Sequence, residues 1–122
     1  MTELAGLRAL VVEDEGGVAL LIEDMLEELG CQVVASVPTL AKALVAATNE
    51  SFDFAMLDVN LDGQQVFPVA EILQRRALPF MFSTGYGRIG VPEKFKQCEV
   101  LGKPFTMEEL ERKLLLTLGR RR

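Results

Sequence analysis

The chain has 122 residues, a formal net charge of −5, 49% hydrophobic residues and 25% charged residues. That length fits one domain with a real core and a well-solvated surface, and the acidic balance argues against a general nucleic-acid binder, which needs a basic face for phosphates. With no histidine, and with Cys31 and Cys98 far apart and forming no CxxC, zinc sites of the usual Cys/His kinds and Ser-His-Asp or Cys-His catalysis are excluded.

"LRALVV" (7–12) is short, apolar and β-branched, and reads as a buried strand. "GGVALLIEDMLEELG" places Val18, Leu21, Ile22, Met25, Leu26 and Leu29 at helical spacing, with Gly30 as a natural stop. "CQVVASV" is a second strand. "TLAKALVAATNE" is a second helix with Leu40, Leu44 and Ala47 on one face. "FAMLDV" is a third strand, and "VFPVAEILQRR" a third helix in which Pro68 is tolerable only in the first turn. "FMFST" and the short "EVLGK" are the fourth and fifth strands. "TMEELERKLLLTLG" is the last helix, with Thr106 and Glu109 at capping-box spacing and Leu110, Leu114 and Leu118 as its inner stripe. The segment between the last two strands, "GYGRIGVPEKFKQ" (85–97), resists the pattern. Gly85, Gly87, Gly90 and Pro92 weaken a helix there, so a loop is expected, with at most a short helix around Glu93 to Lys96. Such a loop is either an irregular crossover or a mobile docking surface.

Strand–helix alternation from end to end implies an α/β domain with a parallel sheet, and right-handed crossovers place helices on both faces. No linker or repeat divides the chain, so residues 1–122 are expected to form a single domain with no output domain. Both cysteines read as small buried apolar residues. No apolar run approaches the roughly 20 residues that span a bilayer, "MTELAGLR" lacks the pattern of a signal peptide, and a cytoplasmic location is the expectation. Arg120 to Arg122 read as a solvated tail that complements the dipole of the last helix.

Open parallel sheets bind ligands beyond the carboxyl ends of their strands. The first strand ends in Glu13-Asp14, the third in Asp58, the fourth in Ser83-Thr84 and the fifth in Lys103-Pro104. Three carboxylates, a hydroxyl and an ammonium should therefore meet at one edge. Each alone has an ordinary reading: Asp14 or Glu15 as a helix cap, Asp58 as another cap, Ser83 and Thr84 as strand-end hydroxyls, Lys103 as a solvated lysine. Together they make a site. Two carboxylates 4 Å apart repel by about 4 kcal/mol at an effective dielectric of 20, so the cluster calls for a cation. Oxygen-only donors with few carboxylates suit Mg²⁺. An aspartate beside such an ion is a nucleophile for phosphoryl groups, and a lysine can pair with a phosphoryl oxygen. Asp62, with Gly63, has the residue types of a turn.

These residues resemble the receiver domain of two-component response regulators. "LVVEDE" is similar to its acidic first-strand motif, "MLDVNLDG" to its phosphorylation-site motif, "STG" to the motif of its switch hydroxyl and "GKPF" to its lysine–proline motif. The resemblance spans essentially the whole chain. It implies a doubly wound (βα)5 flavodoxin-like fold, a five-stranded parallel sheet of order 2-1-3-4-5, with a short or irregular fourth helix. It implies that Asp58 accepts a phosphoryl group, that Glu13, Asp14, Asp58 and the backbone carbonyl of Asn60 hold Mg²⁺, and that Thr84 and Lys103 bind phosphoryl oxygens. The peptide before Pro104 would be cis. The donor would be a sensor histidine kinase, and the output a downstream protein target or a phosphotransfer protein, with neither nucleic acid nor membrane as partner. Two features depart from the family pattern. Val100 stands where an aromatic residue usually turns inward on activation, and the fourth crossover is glycine-rich. "PFMFSTGYG" resembles the motif of short stand-alone receivers of the FAT-GUY type, associated with HWE-class kinases, which makes Tyr86 a candidate replacement for the missing aromatic.

Three functional classes follow. The first is a phosphorylation-controlled switch of protein interactions, or a shuttle or sink for phosphoryl groups in a relay. The second is an aspartyl-nucleophile phosphatase, which typically carries an aspartate as general acid two residues after the nucleophile, where this chain has Asn60. The third is an interaction module whose site no longer works, against which the full set of matched residues argues. A flavin site is weaker still, because no glycine- or Ser/Thr-rich phosphate loop follows the first strand.

Overall fold

The computed structural model describes residues 3–119; the arginine tail, Arg120 to Arg122, lies outside them. Strands β1 (Arg8–Val12), β2 (Gln32–Val37), β3 (Phe54–Asp58), β4 (Phe80–Thr84) and β5 (Val100–Gly102) alternate with helices α1 (Gly16–Glu28), α2 (Leu40–Asn49), α3 (Phe67–Arg75) and α4 (Met107–Gly119), the last following β5. All pairings in this five-stranded sheet are parallel, in the order β2-β1-β3-β4-β5, which is the expected 2-1-3-4-5. Every residue of β3 and of β4 is buried, as unbroken apolar runs between two helical layers require.

Two cores flank the sheet. Ala43, Ala46 and Ala47 of α2 and Val69, Ala70 and Leu73 of α3 pack with Leu10, Ala55, Leu57 and Phe82 on one face. Ile22 and Leu26 of α1 and Leu110 and Leu114 of α4 pack with Val11, Met56 and Met81 on the other. This is the doubly wound arrangement that alternation implies.

The helix ends follow local chemistry. Cys31 N–H bonds to Leu26 O at 2.9 Å and Gly30 N–H to Glu27 O at 3.0 Å, closing α1 in a Schellman motif. Gly30 takes φ +95°, and a Cβ there would sit 3.1 Å from the Ala5 Cα, so both conformation and space favour glycine. Pro68 sits in the first turn of α3. At α4, Glu109 N–H donates to Thr106 Oγ1 at 3.1 Å while Thr106 N–H donates to Glu109 Oε1 at 2.8 Å, which is the reciprocal capping box.

Three local differences from the sequence reading appear. Leu21 is 55% exposed. The inner face of α1 runs through Ala19, Ile22, Leu26 and Leu29, and Leu21, one residue from Ile22, is turned about 100° away from it. Cys31 is buried but Cys98 only half-buried. The segment after β3 is no plain loop: Asn60–Leu61 pairs antiparallel with Gln64–Gln65 about Asp62 (φ +52°) and Gly63 (φ +87°). Two successive positive φ values suit the mirror-image turns of tight hairpins, for which Asp-Gly is a strong signal.

The fourth crossover is irregular, as its glycines and proline dictate. Its helical content among the described residues is one 3₁₀ turn, Glu93–Phe95. Phe95 anchors it, with ring centroids 5.6 Å from Phe82, 5.8 Å from Phe67 and 6.1 Å from Phe80. No described helix is long and apolar enough to cross a membrane.

Candidate functional site

Parallel register gathers the acids. Val12 is level with Leu57 in β3, Asp58 with Ser83 in β4, Ser83 with Leu101 and Thr84 with Gly102 in β5. The residues that follow each strand therefore emerge side by side: Glu13 and Asp14 after β1, Asp58 at the tip of β3, Lys103 after β5. One carboxylate oxygen from each of Glu13, Asp14 and Asp58 lies within 4.8 Å of the others. Glu13 is 2% exposed and Asp58 6%, so two of the three charges stand in low-dielectric surroundings. Asp14 is at the open mouth.

Lys103 spans the buried pair. Its Nζ lies 2.7 Å from Glu13 Oε1 and 3.3 Å from Asp58 Oδ2. The Lys103–Pro104 peptide is cis, as the resemblance implies. One ammonium does not balance three carboxylates. Burial, with the charge of Glu13 adding to it, outweighs Lys103 and pushes the Asp58 carboxyl up to about 7. Asp14 differs: partial burial pushes it up, but hydrogen bonds with the Asp58 carboxyl and from the Asp62 amide hold it below the ordinary range. Lys103 is raised, because its bond to Glu13 and the charge of Asp58 outweigh its desolvation. A divalent cation would relieve this imbalance, and the donors are all hard oxygens, so the set fits Mg²⁺ held by Glu13, Asp14 and Asp58.

Backbone amides complete the cluster, and sequence reasoning missed most of them. Glu15 N–H donates to Glu13 Oε2 at 3.2 Å and Asn60 N–H to Asp58 Oδ1 at 3.3 Å. Asp62 N–H donates to Asp14 Oδ2 at 2.9 Å, so the Asp62-Gly63 turn does more than reverse the chain: it holds a site carboxylate. The Asp-Gly pair signalled the turn, but nothing in the sequence showed what its amide would face. The Asn60 side chain points into the same turn, where its Oδ1 accepts from Gly63 N–H at 2.8 Å.

Thr84 is 5% exposed at the tip of β4, one residue beyond the partner of Asp58. Its Oγ1 accepts from Tyr86 N–H at 3.1 Å and its carbonyl from Lys103 N–H at 2.9 Å. Tyr86 is 76% exposed and Val100 9%. Val59, Asn60, Thr84, Tyr86 and Ile89 are among the residues lining a groove of about 710 Å³ beside the acids.

Such a cluster at the carboxyl edge of a parallel sheet can hold a divalent ion and present a carboxylate, an ammonium and a hydroxyl to an anionic group. The chain is similar to several solved structures. The solution structure of SdrG from Sphingomonas melonis Fr1 is 40% identical, with 96% of this chain and 99% of that chain covered and a TM-score of 0.84. The BeF3-activated conformation of SdrG, from Pseudomonas melonis Fr1, is 42% identical over 93% of this chain and 98% of that one, with a TM-score of 0.79. The receiver domain of the sensor histidine kinase PA1611 from Pseudomonas aeruginosa PAO1, solved with a magnesium ion coordinated in its active-site cleft, is 25% identical over 94% and 99% of the two chains, with a TM-score of 0.75. Comparison with curated proteins gave no match. The model of the response regulator receiver domain matches residues 9–115. That match runs from β1 into α4 and takes in every strand of the sheet, and the chain belongs to the response regulator receiver domain family.

Proposed function

We propose that the chain is a stand-alone response regulator whose Asp58 accepts a phosphoryl group from a sensor histidine kinase and thereby switches its binding to other proteins. The observation that carries this reading is the convergence of Glu13, Asp14 and Asp58 within 4.8 Å, with Lys103 bridging Glu13 and Asp58. An Asp58 oxygen attacks the phosphorus and the N–P bond of the donor imidazole breaks, leaving an aspartyl phosphate. Mg²⁺ held by Glu13, Asp14, Asp58 and the Asn60 carbonyl would neutralise charge on the phosphoryl oxygens. The Lys103 ammonium pairs with one of those oxygens, and the Thr84 hydroxyl donates to another. The chain lacks the histidine for the donor role, so the kinase must supply it.

Likeness to SdrG over 99% of that solved chain supports a stand-alone receiver. We extend this to the FAT-GUY type and an HWE-class donor on the motif "PFMFSTGYG". Tyr86, which lines the groove beside Thr84, takes the part of the aromatic that Val100 lacks. The face that changes is made by the fourth crossover, β5 and α4, and it binds a downstream protein or a phosphotransfer protein; a shuttle or sink role uses the same chemistry. A phosphatase acting on external esters is disfavoured, since the Asn60 side chain is engaged in the hairpin turn and offers no acidic proton.

The test is incubation with acetyl phosphate and Mg²⁺, read by intact mass. A single phosphoryl addition is expected, lost with EDTA and lost in Asp58→Asn. Equal labelling of Asp58→Asn would remove Asp58 as the acceptor. Release of phosphate from simple phosphomonoesters, abolished by the same variant, would favour the phosphatase.

A further inference from the structure

Several contacts tie down the crossover from β4 to β5, among them Glu99 Oε1 with Lys113 Nζ of α4 at 3.2 Å and Cys98 N–H with Phe95 O at 3.0 Å. Phe95 is 1% exposed in its cage of phenylalanines. Beside it, Lys94 Nζ meets Glu71 Oε2 of α3 at 2.8 Å. A further tie is Arg88, which stands in the exposed glycine-rich stretch and reaches across to the far arm of the crossover. Its Nη1 donates to Cys98 O at 3.0 Å and its Nη2 to Lys96 O at 2.6 Å. One planar fork thus holds two backbone carbonyls that immediately precede β5. A lysine, with a single compact head on a flexible stem, does not reproduce that geometry.

The near arm has its own link. Thr84 Oγ1 accepts the Tyr86 N–H at 3.1 Å, and only Tyr86 and Gly87 separate Gly85 from Arg88. A hydroxyl has one proton and two lone pairs, so Thr84 can donate to a new partner and still keep the Tyr86 amide. A hydroxyl that moved with this bond intact would draw the Tyr86 amide with it, and Arg88 lies two residues on.

We propose that Arg88 is a positioning residue that carries movement of the Thr84 hydroxyl to residues 96–98 ahead of β5. The proposal rests on the reading of Thr84 as the hydroxyl that meets a phosphoryl group bound at Asp58. Phe95 stays caged and serves as the fixed point, while the arms on either side of it move together because the guanidinium joins them. The backbone link from Thr84 O to Lys103 N, at 2.9 Å, reaches only the other end of β5. Phe82 N–H already binds Glu99 O at 3.0 Å ahead of the strand, and Arg88 adds a side-chain route from the crossover to residues 96–98.

Amide spectra of the full chain test this, recorded with Mg²⁺ alone and with Mg²⁺ plus beryllofluoride, for the parent, Arg88→Ala and Arg88→Lys. In the parent, the amides of Thr84 to Tyr86 and those of Gln97 to Glu99 are expected to shift together. In Arg88→Ala the Thr84 to Tyr86 shifts persist, while those at Gln97 to Glu99 shrink at least threefold; Arg88→Lys falls between. Full-size shifts at Gln97 to Glu99 in Arg88→Ala would overturn the proposal, as would their absence in a parent whose Thr84 to Tyr86 amides respond. Absence of any response near Asp58 and Thr84 in the parent would instead overturn the phosphoryl-site reading, and the Arg88 role with it.

Discussion

At the scale of single residues, Asp58 is in conflict with its surroundings until something cationic joins it. Its folded value of about 7 lies above the ordinary 3.8, so the folded state holds the proton more tightly than the unfolded chain does. The stabilisation from that proton is fully present below the ordinary value and is lost as pH rises through about 7. In metal-free buffer, Asp58→Asn is therefore expected to gain on the parent between about pH 4 and 7. The full gap would be worth about 4 kcal/mol; water at the open mouth screens it, and about 2 kcal/mol at pH 7.5 is expected by urea denaturation in EDTA. A difference that does not change with pH would refute this account of the charge. Tyr86 offers a second residue-scale measurement, because the chain has one tyrosine and no tryptophan. If it turns inward on activation, beryllofluoride with Mg²⁺ should reduce quenching of its fluorescence by acrylamide at least twofold. Unchanged quenching would leave the place of the missing aromatic unfilled.

The elements differ in what holds them. The N-terminus of α4 depends on a two-residue box, and Thr106→Ala is expected to cost about 1 kcal/mol of stability, measured by denaturant titration. The fourth crossover is anchored in the core by one buried ring, Phe95. Phe95→Ala should cost about 3–4 kcal/mol, since it empties the centre of the aromatic cluster; a loss below about 1 kcal/mol would mean the cage collapses around the gap. Glycines 85, 87 and 90 give the near arm no side chains to pack, and residues 85–91 make few backbone hydrogen bonds. Hydrogen exchange should therefore be fast there and slower near Phe95. The sequence reading expected a loop across 85–97 with at most a short helix; the structure divides that loop at the buried Phe95.

For the whole molecule, the cation and the fold are linked. An ion that binds only the assembled cluster stabilises the folded state by about 2.7 kcal/mol at one hundred times its dissociation constant. Raising MgCl2 should accordingly increase the melting midpoint of the parent by several degrees. Asp14→Asn, which removes one of the three carboxylates, should lose most of that increase while keeping the parent's metal-free midpoint within a degree or two. An equal Mg²⁺ response in Asp14→Asn would exclude Asp14 from the site. The coupling follows from topology: the three acids come from the ends of β1 and β3, which are far apart in sequence and meet only when those strands pair.

The sequence by itself determined the alternation of strands and helices, the buried character of β3 and β4, the helix stop at Gly30, the helix start at Thr106 and the break in the fourth crossover. All of these are local: periodicity, capping and the conformational habits of glycine and proline act within a turn or two of chain. It also marked the acids, because a parallel sheet brings its strand ends to one edge whatever the intervening helices do. Only the tertiary structure decided what each group faces. Leu21 read as inner by spacing, yet the docking of α1 through Ala19 and Ile22 turned it to solvent. Asp62 read as a turn residue, yet its amide holds Asp14 across 48 positions of sequence. Arg88 carried no signal at all, since its two acceptors are main-chain carbonyls, which every residue possesses and no sequence pattern distinguishes. Contacts between distant segments depend on register and packing angle, and those are properties of the assembled sheet.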